Sequence, residues 1–77
     1  MTLWEMKAKH NARIDGLNES LSAAVAGRLS EMGFNPGQHI VCLRRSPMQG
    51  PLVVQLGDCV YSLERDVANQ ITLSQAG

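Results

Sequence analysis

Apolar positions along this chain change period twice, and each change marks an element. Thr2-Leu3-Trp4-Glu5 has the spacing of a capping box, which places Leu3 and Met6 on one side of a short helical turn. From Asn11 to Asp15 small or apolar residues alternate with polar ones, the pattern of a half-buried strand, and Gly16 is expected to end it. The period then lengthens. Leu21, Val25, Leu29 and Met32 recur every three or four positions and form the apolar stripe of a helix. Ser20 or Asn18 suits its N-cap, with Glu19 near the positive end of the dipole. Gly33 suits the left-handed residue that closes it, and Pro36 follows shortly after. Gly27 inside this helix costs about 1 kcal/mol relative to alanine, which points to close packing there.

After Pro36-Gly37 the period returns to two. His39 to Arg45 reads as a strand, and Ser46-Pro47-Met48-Gln49-Gly50-Pro51 as a loop. Leu52 to Leu56 is a second strand of this meander, with Leu52, Val54 and Leu56 on one face. Gly57-Asp58 is a two-residue hairpin turn with glycine first, the type II′ pattern. Cys59 to Leu63 is the third strand, Glu64 to Asn69 one helical turn, and Ile71 to Leu73 a last short strand before a frayed Ser74–Gly77 tail. Five short strands joined by tight turns predict a mainly β fold: a small five-stranded barrel with one α-helix inserted after the first strand. No repeat or linker interrupts residues 1–77, which are expected to form one domain.

Size and charge narrow the function. A domain of 77 residues buries only about 60% of the surface its unfolded chain exposes. It has little room for a ligand cleft of roughly 300–1,000 Å³, so a binding module is expected rather than an enzyme. Seven basic and seven acidic residues give zero formal charge, against the basic excess that phosphate binding requires. No nucleic-acid partner is expected. The apolar runs Ala23–Ala26 and Ile40–Leu43 are too short to cross a bilayer, and Leu3-Trp4 is followed at once by Glu5, Lys7 and Lys9, unlike a signal peptide. A cytoplasmic location without direct membrane insertion is the expectation. Cys42 and Cys59 match no zinc or redox spacing and are read as small buried hydrophobes of the reducing cytosol.

Arg28-Leu29-Ser30-Glu31-Met32-Gly33-Phe34-Asn35-Pro36-Gly37 resembles the signature of the FeoA family, a helix ending Arg-Leu-x-x-Met/Leu-Gly and leading through Pro-Gly into a strand. Ser46-Pro47-Met48-Gln49-Gly50-Pro51 is similar to that family's Ala/Ser-Pro-x-x-x-Pro loop. Ser62-Leu63, Ala68 and Ile71 resemble its closing segment, and Ala12-Arg13-Ile14 its first strand. The similarity spans residues 3 to 73, and its strength lies in the order and spacing of motifs that are individually weak. Two positions depart from the pattern. Glu64 stands where the family has Arg or Lys, and Gly57 falls one place early. The resemblance implies an SH3-like barrel, a cytosolic site, and a regulatory role in bacterial ferrous iron uptake through binding the cytosolic part of a FeoB-type transporter. It also implies transition metal ion binding, as in the related C-terminal domains of DtxR-type repressors. That gives a second reading, a stand-alone metal-responsive regulatory domain. A small RNA-binding barrel is a third reading, opposed by the neutral charge.

The residues themselves favour the loop as the contact. Pro47 and Pro51 restrict its conformations and Met48 offers an adaptable apolar tip, while Arg44 and Arg45 supply a basic stem. Met48 is equally compatible with folding back on the barrel. Trp4 either covers an open end of the barrel or marks a contact surface. His10, His39, Cys42, Asp58 and Cys59 are the candidate metal donors, but none form a helical pair or a Cys-x-x-Cys clip, so no protein-only metal site and no cofactor are expected. No serine is placed with a histidine in a way that supports nucleophilic catalysis.

Overall fold

Capping, turns and the period-two pattern set out a chain of short elements, which the computed structural model describes over residues 1–75. A 3-10 turn at Leu3–Glu5 comes first. The strands are β1 (Asn11–Leu17), β2 (His39–Arg45), β3 (Leu52–Leu56), β4 (Cys59–Leu63) and β5 (Ile71–Gln75). Helix α1 (Ala23–Met32) lies between β1 and β2, and the single turn α2 (Arg65–Ala68) between β4 and β5. The strands form one antiparallel sheet in the order β4-β3-β2-β1-β5.

Alternation along β3 works as read: Leu52, Val54 and Leu56 face inward, and Val53 and Gln55 do not. With Ile14, Ile40, Cys42 and Ile71 they share one buried core with Phe34, the largest fully buried side chain. The N-terminal turn completes this core with Leu3 and Met6, both buried. Glu5 accepts the Thr2 backbone N–H at 2.8 Å, the half of the capping box that closes the turn. That bond holds the Glu5 carboxyl below its usual range. The Leu73 N–H donates to the Met1 carbonyl at 2.8 Å, and Thr2 bridges to Thr72, so the N-terminal segment covers the outer edge of β5.

Several expectations are corrected. Gly16 does not end β1. A bulge between Ile14 and Gly16 carries the strand on to Leu17, opposite Ile71, because glycine in a strand bends the ladder rather than stopping it. Ser74 and Gln75 are not a frayed tail, since they pair with Arg13 and Ala12; the rest of that tail, residues 76 and 77, lies outside the described residues. The N-cap of α1 is Ser22, whose Oγ accepts the Val25 N–H at 3.2 Å. Asn18 instead accepts from Ser20 N–H within the preceding loop. Leu21 thus precedes the helix, and Glu19 lies outside its first turn.

Only Leu29 of the stripe is buried. Val25 is exposed, and Leu21 and Met32 rest half-buried against the core. A Cβ on Gly27 would meet nothing within 4 Å, so no close packing occurs there. Gly33 does close the helix, at φ 107°. A side chain there would be strained and would bring a Cβ to 3.1 Å from Leu56. This turn sends Phe34 inward beside Tyr61, ring centroids 5.3 Å apart, and the Tyr61 hydroxyl donates to the Met32 carbonyl at 3.0 Å.

Candidate functional site

The loop between β2 and β3 is built for presentation. A bulge between Cys42 and Arg44 turns the end of β2, leaving Arg44 opposite Val53 and Arg45 opposite Leu52. Ser46 N–H donates to Pro51 O at 3.3 Å and closes the neck. The chain then reverses in a tight turn over Pro47–Gln49. Gly50 N–H returns to Pro47 O at 3.1 Å. A Cβ on Gly50 would lie 3.0 Å from the Ser46 Cβ, so the loop folds tightly on itself.

Two non-glycine residues in this loop are left-handed, Met48 at φ 57° and Gln49 at φ 59°. That conformation costs roughly 1–2 kcal/mol for each such residue. Met48 recovers nothing by packing, since it is 98% exposed. The loop's closing hydrogen bonds hold this conformation against its cost, and Met48 stands in open solvent without folding back onto the sheet.

The basic stem divides into two roles. Arg44 is exposed, and its guanidinium makes no hydrogen bond among the described residues. Arg45 is also on the surface, but its guanidinium lies 4.7 Å above the Trp4 ring. Its Nη1 donates to the carbonyls of Trp4 at 2.6 Å and Met6 at 2.8 Å. Arg45 therefore fastens the N-terminal turn, and Trp4 packs half-buried beneath it. Pro47 and Pro51 are exposed at the two sides of the loop.

A neighbour not anticipated from sequence is α2. Arg65 Nη1 donates to Gln49 Oε1 at 3.0 Å and ties the loop to that turn. Between them is a shallow hollow of about 310 Å³ lined by Gln49, Pro51, Glu64, Arg65 and Asp66. Its one legible signal was the acidic Glu64 at a position expected to be basic.

The candidate metal donors are not brought together. His10 and His39 are exposed. Cys42 is wholly buried, its Sγ 3.8 Å from the Arg44 carbonyl, and burial pushes its thiol up from the usual value. Cys59 is exposed at the β3–β4 turn, correcting the expectation that both thiols pack inside: it is the first residue of an edge strand, beside the exposed turn. Among the described residues no three His, Cys, Asp or Glu side chains gather as a metal site would need, so these donors do not fit a protein-only centre. No described helix is long and apolar enough to cross a membrane.

Comparison with known proteins bears on the family and the fold. The family model of the FeoA domain matches residues 1–75. The FeoA of Stenotrophomonas maltophilia, crystallised with zinc, is described as a prokaryotic SH3 domain protein and a candidate ferrous iron transport activating factor. It is 28% identical, with a TM-score of 0.86 over 96% of this chain and 89% of that one. The FeoA protein of Chlorobium tepidum is 27% identical, with a TM-score of 0.89 over 100% of this chain and 71% of that one. A manganese-dependent transcriptional repressor gives a TM-score of 0.86 at 13% identity, over 97% of this chain and 41% of that one, which is a likeness of fold alone. No curated protein sequence matches the chain.

Proposed function

We propose, from the premise that this chain belongs to the FeoA domain family, that it regulates ferrous iron uptake by docking on the cytosolic region of a FeoB-type transporter. Membership gives a role in ferrous iron transport, and the family is one of transport accessory domains rather than of known enzymes. The finer reading includes the curling of the five-stranded sheet into an SH3-like barrel in which β4 and β5 do not pair among the described residues, a single domain over residues 1–77, and a cytoplasmic location. The observation that carries the docking reading is Met48, 98% exposed on a strained loop that its own hydrogen bonds hold in shape. A loop already ordered loses little entropy on binding.

In this reading Met48 enters an apolar contact between Pro47 and Pro51, Arg44 steers the encounter towards an acidic surface, and Arg45 keeps the loop's stem in place. Association kinetics with the purified cytosolic region of a FeoB-type transporter test it. Met48→Asp should raise the dissociation rate by desolvating a carboxylate. Arg44→Ala should slow association at low salt, where screening is weak. Both variants should melt like the parent protein. Unchanged binding by folded Met48→Asp removes the loop from the interface.

The second reading, a metal-responsive regulatory domain, draws on the zinc held by the Stenotrophomonas relative and the fold shared with the repressor. Calorimetry with ferrous, manganous and zinc ions separates it from the first. A stoichiometric site of micromolar or tighter affinity would favour it.

A further inference from the structure

The two edges of the sheet are treated differently. The outer edge of β5 is covered by Met1 and Thr2. The outer edge of β4 has no strand beside it among the described residues. Natural edges are commonly blunted by charge, proline or a bulge. Cys59-Val60-Tyr61-Ser62-Leu63 contains no charged residue and no proline, and its register with β3 is unbroken. Glu64 continues it with extended backbone, φ −75° and ψ 161°.

Register determines which groups are open. The two-residue turn makes Leu56 and Cys59 a bonded pair, and bonded pairs alternate along the ladder. Cys59, Tyr61 and Leu63 therefore direct their N–H and C=O groups to β3, while Val60 and Ser62 direct theirs outward. Val60 is also the most exposed branched apolar side chain, at 58%.

The ends of this edge are acidic. Asp58 lies in the turn before β4 and Glu64 just after it, both exposed. They stand six positions apart, about 20 Å along an extended chain. A second copy fits poorly in the register that pairs the whole edge. Antiparallel pairing must set the outward-bonding residues of the two chains opposite each other. In the register of full overlap, Val60 then faces the copy's Ser62, and Asp58 faces the copy's Glu64 at both ends. Like charges directly opposite are destabilising.

We infer that the β4 edge accepts an extended basic peptide segment as an added strand, with apolar residues against Val60 and Ser62 and a lysine or arginine at each end against Asp58 and Glu64. Main-chain bonds to Val60 and Ser62 supply the pairing, and the end charges set which strand is taken. This surface is separate from the Ser46–Pro51 loop, and its test uses no transporter.

The probe is the capped peptide Lys-Thr-Val-Thr-Val-Thr-Lys, titrated into the intact protein at low salt and followed by amide exchange. Expected are saturable binding, slowed exchange at the Val60 and Ser62 amides, and at least tenfold weaker binding of the same peptide with glutamate in place of lysine. Asp58→Lys combined with Glu64→Lys should reverse that preference. Ser62→Pro should abolish binding by removing an outward N–H that β3 does not use. If that variant does not fold, the charge reversal still decides. No binding, equal binding of the two peptides, or binding without protection at Val60 and Ser62 would overturn the inference. So would a peptide-free dimer protected at those two amides, which would make a second copy the occupant.

Discussion

Arg45→Ala removes a clamp whose parts can each be given a magnitude. Two hydrogen bonds to the Trp4 and Met6 carbonyls are lost, at 2.6 and 2.8 Å, with the stacking of the guanidinium 4.7 Å above Trp4. A hydrogen bond to a charged donor contributes roughly 1.5–3 kcal/mol. Here water can rehydrate the Trp4 carbonyl, so about 1 kcal/mol for each bond is the better figure. An exposed cation–π contact adds about 0.5–1 kcal/mol. The expected loss is thus about 2–3 kcal/mol, a large part of what a marginal domain has. For a chain of this size that lowers the Tm by roughly 8–24 °C. Thermal unfolding by circular dichroism reads the global effect. Amide exchange at Leu73, whose N–H is held by Met1, reads local release of the N-terminal segment. Arg45→Lys keeps the charge but not the planar fork, and should recover only part of the loss. A Tm for Arg45→Ala within about 2 °C of the parent, with Leu73 still protected, would refute the clamp.

Three further outcomes follow from burial and bonding. Leu29→Ala removes the one buried side chain of α1 and should cost about 2–4 kcal/mol, whereas Val25→Ala on the same stripe should leave urea unfolding nearly unchanged; equal effects would mean the whole stripe is core. At pH 8 a thiol reagent should modify Cys59 and spare Cys42, which is buried with its thiol pushed up, and rapid modification of both in folded protein would contradict the packing. The Glu5 carboxyl is held low by the Thr2 backbone bond, so its contribution is present above the ordinary glutamate value of about 4.3 and is lost as pH falls through the lower folded value; Glu5→Gln should flatten that part of the acid-unfolding curve, and an unaltered curve would show that the bond does not matter.

The β2-β3-β4 meander was legible because its two signals agree: side chains alternate, and turn residues fall where the alternation stops. Helix α1 was legible as a helix but less so as core. Periodicity tells which residues share a face, and on that face only Leu29 is covered, with Val25 left in water. Ser22 lost out in the reading to Ser20 and Asn18, since three capping residues crowd into five positions. Cys59 was given the correct face, but its exposure depends on strand order, which no local pattern contains. Within the candidate site, the loop and its exposed methionine could be approached from proline spacing. The division between Arg44 and Arg45 could not, because Arg45 acts on a carbonyl 41 residues earlier.

The pairing of β1 with β5 has a consequence for how the molecule assembles. Ala12 meets Gln75 and Leu17 meets Ile71, so this ladder forms only by closing nearly the whole chain into a ring. Relative to a two-residue hairpin, the logarithmic loop law makes that closure about 3 kcal/mol more costly in entropy. The β3–β4 hairpin, with its neighbour β2, should therefore organise early, and the β1–β5 ladder should form late and limit the folding rate. During synthesis Leu3, Met6 and Ile14 wait for Ile71 and Leu73 to emerge from the ribosome. Until then the nascent chain carries an unsealed apolar surface, and its first contacts in the cell are those of an unfinished sheet.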